Sequence, residues 1–272
     1  MTDLVSWTDI DLYRTDGVVV VRDLADEMWC DRLADAVEKN LADPGPWATD
    51  YSGVAPQGGF RDDYCNWERF DGFRDFVFQS RAAEVAGRLM ESSIIRFNHE
   101  HVLVKEPGTT EASPWHQDQP YYCVDGDHVC SIWLTLDPVS RAVCPEFIAG
   151  SHRGPYYLPR QFVDHESYST YGDAYPPVPD IEARRDDHVI RSWDLEPGDA
   201  IVFHMRTLHA APGTTGWPHR RRAIATRWTG DDAVYALRPG ATSPPMEWLD
   251  LAPGDPLEHE RLPVVWRAET RG

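Results

Sequence analysis

Residues 94–105, IIRFNHEHVLVK, begin the part of the chain that decides the fold. From Ile94 onward, short runs of β-branched and aromatic residues are separated by turn residues such as Pro107-Gly108. Short strands at this cadence are typical of an all-β barrel or sandwich. The later runs that we interpret as strands are 128–137, 145–149, 188–195, 200–209 and 221–229.

The residues before this region predict helices that pack outside the barrel. Residues 17–21 form a β-branched run that predicts a strand, and apolar residues recur at helical spacing over 26–41 and 74–91. Residues 47–70 lack clean periodicity and predict a surface loop. The segment 156–187 is a long connection, polar and rich in Tyr, Pro and Asp, and it predicts a functional lid or a disordered insert.

The length fits one large domain over residues 1–272. Within it we expect a helical part over about 1–92, a β core over about 93–232 and an extension over 233–272. The oligomeric state, monomer or homodimer, is left open by the sequence.

Composition excludes several classes of function. A formal net charge of −19 argues against nucleic acid and anionic membranes as partners. The chain has no run of 18 apolar residues, so we expect no membrane span. Its first residues lack a basic region followed by an apolar stretch, so we expect no secretory signal. Its five cysteines have no C-x-x-C spacing, which favours reduced thiols in the cytoplasm over disulfides or structural zinc.

The segment 113–122, SPWHQDQPYY, contains the strongest chemical signal. On a strand, residues two apart point to the same face, so His116 and Asp118 are expected to converge. An imidazole and a carboxylate can supply two ligands of a 2-His-1-carboxylate site, which leaves positions open at Fe(II).

His209 is the candidate for the third ligand, at the end of a predicted strand that a barrel can bring close to His116. Three arginines, 220–222, follow it and open an apolar strand. Arg221 shares a face with two alanines that leave room for a carboxylate-bearing ligand, which arginine holds through two parallel hydrogen bonds.

These motifs together resemble the phytanoyl-CoA dioxygenase family of Fe(II)/2-oxoglutarate oxygenases. The resemblance covers nearly the whole chain, and its motifs are specific jointly rather than singly. They are DGVVV (16–20), VKEPG (104–108), PWHQDQPYY (114–122), VCSIWLTLDP (129–138), FIAGSH (147–152), PGD (197–199), RRA (221–223) and RWTGDD (227–232).

The resemblance implies a mainly β fold, a double-stranded β-helix (a jelly roll, cupin-like) with flanking N-terminal α-helices. It implies that His116, Asp118 and His209 bind Fe(II). It further implies that Arg221, with Arg220 as the alternative, binds 2-oxoglutarate.

The reaction implied is O2-dependent hydroxylation of a small-molecule C–H bond with release of succinate and CO2. Related halogenating enzymes lack the carboxylate ligand, so Asp118 favours hydroxylation, or the related desaturation or cyclisation. The sequence does not identify the substrate.

Further residues are assigned around this site. Trp133 is expected to line the cosubstrate pocket. The chain has Ala210-Ala211 where the family commonly has a serine after the distal histidine, so that role would pass to Thr207 or Thr214-Thr215, or be absent. Substrate contacts are assigned to His101, Lys105, Tyr121 and Tyr122.

Two other functions remain open from the sequence. His99 and His101 form an H-x-H pair that, with one further histidine, could build a cupin-type metal site that does not use 2-oxoglutarate. The chain could also be a non-catalytic jelly-roll binding protein.

Overall fold

Two antiparallel sheets face each other in the computed structural model, which describes residues 4–51, 59–246 and 249–269. The strands of the larger sheet are β1 (Val18–Val21), β2 (Thr49–Asp50), β3 (Phe60–Tyr64), β4 (Ile94–Lys105), β7 (Val129–Thr135), β10 (Ala200–His204), β12 (Arg221–Thr229) and β14 (Val264–Arg267). Their order is β1-β10-β7-β12-β4-β3-β2, and β14 also pairs with β4.

The smaller sheet carries the chemical motifs. It consists of β5 (Ser113–His116), β8 (Glu146–Ile148), β9 (Ile190–Arg191) and β11 (His209–Ala211), in the order β5-β11-β8-β9. A separate pair is formed by β6 (Val124–Asp125) and β13 (Val234–Tyr235). The expected double-stranded β-helix is confirmed.

Four helices cover the outer face of the larger sheet: α1 (Trp7–Asp16), α2 (Glu27–Ala42), α3 (Asp71–Gln79) and α4 (Ala82–Met90). Ser6 begins α1 with a capping box to Asp9, and the Asp26 side chain accepts a hydrogen bond from the backbone N–H of Trp29 at the start of α2. Apolar side chains of the helices and of that sheet face form one core. No helix in the described ranges is long and apolar enough to cross a membrane.

Alternation along the central strands separates this core from the interior between the sheets. On β4, Val102 and Val104 join the helix-side core, whereas Leu103 packs against the interior cluster that contains Trp133 and Phe203. Successive side chains of a strand point to opposite faces, so the same strand that anchors the helices also lines the space between the sheets.

Three sequence predictions of secondary structure were wrong in part. The segment 74–91 is two helices, α3 and α4, with a break at Ser80 and Arg81. The predicted loop 47–70 contains β2 and β3, which extend the sheet beside β4. The predicted strand 200–209 ends at His204, turns, and resumes in the other sheet as β11.

Glu100 is a buried carboxyl group on the helix side of β4. Its side chain is 0% exposed. One carboxyl oxygen accepts a hydrogen bond from the backbone N–H of Asn66, while the other has no hydrogen-bond partner among the described residues. Burial raises the pKa of Glu100 to about 8.

We therefore expect stability to depend on the ionisation of Glu100. The unfolded chain loses this proton near pH ~4.3, but the folded chain retains it until about pH 8. The free energy of unfolding should fall as pH rises through this window, by at most about 4–5 kcal/mol at ~1.4 kcal/mol per pKa unit. Glu100→Gln should remove that decline in urea unfolding between pH 5 and pH 8. The exposed control Glu166→Gln should keep it, and an unchanged slope in Glu100→Gln would refute the assignment.

Candidate metal centre and adjoining cavities

His116 and His209 lie directly opposite each other on the paired strands β5 and β11. Opposed residues of antiparallel strands have neighbouring side chains, and the two ring centroids are 4.1 Å apart. Nδ1 of His116 is 2.7 Å from the carbonyl oxygen of Pro114, and Nδ1 of His209 is 2.9 Å from that of Thr207. A carbonyl accepts only, so each Nδ1 carries the hydrogen and each Nε2 keeps its lone pair for a metal.

Asp118 completes the group from a turn rather than from the strand. β5 ends at His116, and Asp118 has helical backbone angles, φ −73° and ψ −45°. Its Oδ1 lies 3.7 Å from Nε2 of His116 and 3.6 Å from Nε2 of His209. The side chains of His116 and Asp118 converge as expected. They do not converge because of alternation along one strand, since Asp118 lies beyond the end of β5.

The three ligand atoms lie within 4.8 Å of one another, and all three residues are buried. Within the described part of the chain, no other group of three His, Cys, Asp or Glu side chains has such spacing. Two imidazoles and one carboxylate at this spacing fit an iron(II) ion with open coordination positions.

The protonation states also suit a metal. Burial, together with the neighbouring His209, lowers the pKa of His116 to about 3. Burial likewise lowers the pKa of His209. Burial alone would raise the pKa of Asp118, but the charge of Arg227 and the hydrogen bond from Ser131 act against burial, and the pKa lies well below its usual range. Two neutral imidazoles and an ionised carboxylate are the forms that bind a metal.

Two buried cations lie beside this centre. Lys105 and Arg221 line a cavity of about 30 Å³, and they are only 2% and 5% exposed. The Lys105 ammonium donates to the carbonyl oxygen of Glu111 at 2.7 Å and lies over the ring of Phe60. Arg221 donates to the carbonyl oxygens of Val143 and Pro212.

Neither cation has a carboxylate partner among the residues that the structure describes. Burial lowers the pKa of Arg221 to about 10, and burial with the charge of Arg221 lowers that of Lys105. Buried charges are normally paired, so this cavity fits an anion. Arg220, the alternative to Arg221, instead pairs with Glu38 and Glu106.

A larger cavity of about 230 Å³ holds the three ligand side chains in its wall. It shares Leu103, Ser113, Trp133 and Ala211 with the small cavity, so the two spaces adjoin. Of the expected substrate contacts, His101, Tyr121 and Tyr122 line the larger cavity. Lys105 lines the smaller one instead, beside Arg221.

The connection 156–187 covers the larger cavity. Arg160, Phe162 and Tyr168 line it. The Phe162 ring lies 4.9 Å from that of His116. Tyr121 ties the connection down, because its hydroxyl donates to the carbonyl oxygen of Arg160 at 2.6 Å. The connection thus lies over the cavity, and its function as a lid stays a prediction.

Two expectations are not supported by the geometry. The Thr207 hydroxyl donates to the carbonyl oxygen of Gly17 at 2.8 Å and lines neither cavity, because the chain turns between β10 and β11. His99 and His101 line the larger cavity but join no three-ligand group in the described ranges. Nε2 of His101 is instead 3.0 Å from Asp62 Oδ2.

Sequence reasoning missed Arg227, which lies beside the metal ligands. Its Nε is 3.1 Å from Oδ2 of Asp118, and both side chains are 5% exposed. The signal was available, because Arg227 continues the alternation of Arg221, Ala223 and Ala225 along β12. An arginine on the inward face of an apolar strand requires a partner.

The sequence of this chain is similar to those of one protein family. The profile of the family described as phytanoyl-CoA dioxygenase (PhyH) matches residues 13–223. A probable phytanoyl-CoA dioxygenase of Caenorhabditis elegans is 28% identical over 140 residues, covering 49% of this chain and 42% of that protein. The 1-deoxypentalenic acid 11-beta-hydroxylase of Streptomyces exfoliatus is 28% identical over 144 residues, covering 53% of this chain and 44% of that protein. The matched parts thus span less than half of these relatives.

Solved structures share the fold over nearly the whole chain. The non-heme alpha-ketoglutarate-dependent carbocyclase SnoK of nogalamycin biosynthesis has a TM-score of 0.73 at 23% identity, covering 96% of both chains. The epimerase SnoN in complex with Fe3+, alpha ketoglutarate and nogalamycin RO has a TM-score of 0.70 at 20% identity, covering 95% of this chain and 97% of that chain. EctD from S. alaskensis, crystallised with 2-oxoglutarate and 5-hydroxyectoine, has a TM-score of 0.67 at 18% identity, covering 97% of this chain and 89% of that chain.

Proposed function

Since the chain belongs to the phytanoyl-CoA dioxygenase family, we propose that it is an iron(II)- and 2-oxoglutarate-dependent oxygenase that hydroxylates a C–H bond of a small molecule. Its class is that of the 2-oxoglutarate-dependent dioxygenases, EC 1.14.11. The observation that carries the proposal is the pairing of two sites. A buried His-Asp-His group adjoins a small cavity that holds two buried cations without a carboxylate partner in the described chain.

Each residue has a defined part in this proposal. His116, Asp118 and His209 would hold iron(II), and the distal carboxylate of 2-oxoglutarate would lie between Lys105 and Arg221. Iron(II) with 2-oxoglutarate and O2 supplies the chemistry that places one oxygen atom on the substrate and one in succinate, with loss of CO2. Trp133, in the wall common to both cavities, would separate the diacid from the substrate.

The larger cavity is the proposed substrate site. His101, Tyr121 and Tyr122 give this cavity a largely aromatic wall. Phe162 and Tyr168 of the covering connection would exclude water from the reacting atoms. A cavity of about 230 Å³ suits a small metabolite rather than a polymer.

We also propose that the enzyme is located in the cytoplasm. All five cysteines are free, as expected for a protein in the reducing cytoplasm. We expect a monomer or homodimer, which light scattering of the purified protein will distinguish.

Succinate release tests the proposed activity. Aerobic protein with Fe(II) and 2-oxoglutarate should consume O2 and form succinate in equal amounts, slowly alone and faster with a substrate from a metabolite panel. Asp118→Ala should reduce this rate at least about 100-fold, because even loss of an outer-shell partner costs 10–100-fold. A wild-type protein that binds iron yet forms no succinate with any compound would instead be a binding protein.

A further inference from the structure

Arg227 is a buried arginine in the middle of β12, next to a metal ligand. Its Nε lies 3.1 Å from Oδ2 of Asp118 and 2.9 Å from the hydroxyl oxygen of Tyr122. Ser131 is the residue directly opposite Arg227 on the neighbouring strand β7. Its hydroxyl donates to the same Oδ2 at 2.6 Å. The single Nε–H of Arg227 is donated to Tyr122, so β7 supplies a hydrogen-bond donor and β12 a positive charge to the same carboxylate oxygen.

The two oxygens of Asp118 consequently differ. Oδ2 accepts from Ser131 and faces Arg227. Oδ1 faces the imidazoles, 3.7 Å from His116 Nε2 and 3.6 Å from His209 Nε2. A carboxylate oxygen that accepts a hydrogen bond and also pairs with a guanidinium is a weaker metal ligand than the oxygen that does neither.

This asymmetry bears on how many coordination positions stay open. A carboxylate can bind a metal through one oxygen or through both. With one oxygen from Asp118 and one nitrogen from each histidine, an octahedral ion would keep about three positions for cosubstrates. If both oxygens bound, one of those positions would be lost.

We propose that Arg227 is a positioning residue: together with Ser131 it restrains Oδ2 of Asp118, so that the carboxylate binds metal through Oδ1 alone. This inference rests on the proposed function and deepens it. Arg227 acts through Asp118, and its guanidinium also balances the negative charge buried there.

The test counts metal-bound water on the Mn(II)-loaded protein, without 2-oxoglutarate, by water-proton relaxation. The wild type should hold three waters on Mn(II). Arg227→Met should hold two, because the released carboxylate closes one position, and the inner-sphere relaxation should fall by about one third. Arg227→Lys, which keeps a cation at this position, should retain more of the wild-type value than Arg227→Met.

A matched control separates positioning from general loss of structure. Arg238 is a buried arginine that donates to carbonyl oxygens of the neighbouring turn, including those of Tyr122 and Val124, and does not contact Asp118. Arg238→Met should therefore keep three waters. Ser131→Ala removes the hydrogen bond to Oδ2 and keeps the guanidinium beside it, so this variant tests the proposal if Arg227→Met does not fold.

The outcomes are distinct. Fewer waters in Arg227→Met or Ser131→Ala, with the wild-type number in Arg238→Met, supports the proposal. If every folded variant holds three waters, the proposal is overturned and the proposed function still stands. The same conclusion follows if Arg238→Met loses as much water as Arg227→Met. Failure of the wild type to bind Mn(II) overturns both.

Discussion

Arg221→Met should weaken the binding of 2-oxoglutarate about 100-fold while metal binding stays intact. Truncation of one partner of a buried charge pair costs about 2–5 kcal/mol, and 2.7 kcal/mol corresponds to that factor. Arg221 lines the small cavity with Lys105 and contacts none of the three metal ligands in the described structure. Calorimetric titration of 2-oxoglutarate into the anaerobic Fe(II)-protein measures the effect.

Arg222→Met is the matched control for this experiment. Arg222 is the next residue on β12, but it points away from the cavity and pairs with Asp137 and Glu38. Its replacement should leave 2-oxoglutarate affinity within about twofold of the wild type, because successive residues of a strand point to opposite faces and Arg222 does not line the cavity. Equal losses in both variants would contradict the assignment of the diacid to the small cavity.

His209→Ala should weaken metal binding by more than about 100-fold, since even an outer-shell partner contributes 10–100-fold. His209 contributes one of three ligand atoms, and in the described chain no histidine besides His116 and His209 lies in the group. Competition between Mn(II)-protein and a chelator of known affinity measures the change.

His204→Asn is the control for that loss. His204 is also buried, five residues earlier on β10, and its Nδ1 accepts a hydrogen bond from the backbone N–H of Arg206, which an asparagine oxygen can replace. His204→Asn should bind metal as the wild type does. Wild-type affinity in His209→Ala would mean that the metal binds elsewhere.

The sequence identified the ligand residues better than it explained their geometry. His116 and His209 could be named because their residue types and the spacing of the arginines match a known chemistry. That they oppose each other directly on β5 and β11 depends on strand pairing across more than ninety residues, which alternation within one strand does not encode. Alternation also fails to predict that Asp118 reaches the site from a turn, because the backbone leaves the strand after His116.

The roles of the buried cations near the site could be assigned only from the tertiary structure. Lys105 was assigned to the substrate because it shares a strand face with His101, but the small cavity at the end of β4 places it beside Arg221. Thr207 was assigned by its closeness in sequence to His209, and the turn before β11 directs its hydroxyl to Gly17 instead. Arg227 could have been identified from the sequence, because it continues the alternation of inward-facing residues on β12. Its contact with Asp118 could not.

The central claim is that one metal ion and one diacid bind side by side, on His116, Asp118 and His209 and between Lys105 and Arg221. Anaerobic addition of 2-oxoglutarate to the Fe(II)-protein tests it most directly, because chelation of Fe(II) by a keto acid produces a charge-transfer absorption band in the visible range. We predict a band that saturates at one 2-oxoglutarate per chain. Absence of the band at saturating 2-oxoglutarate, with Fe(II) shown to be bound, would contradict the account.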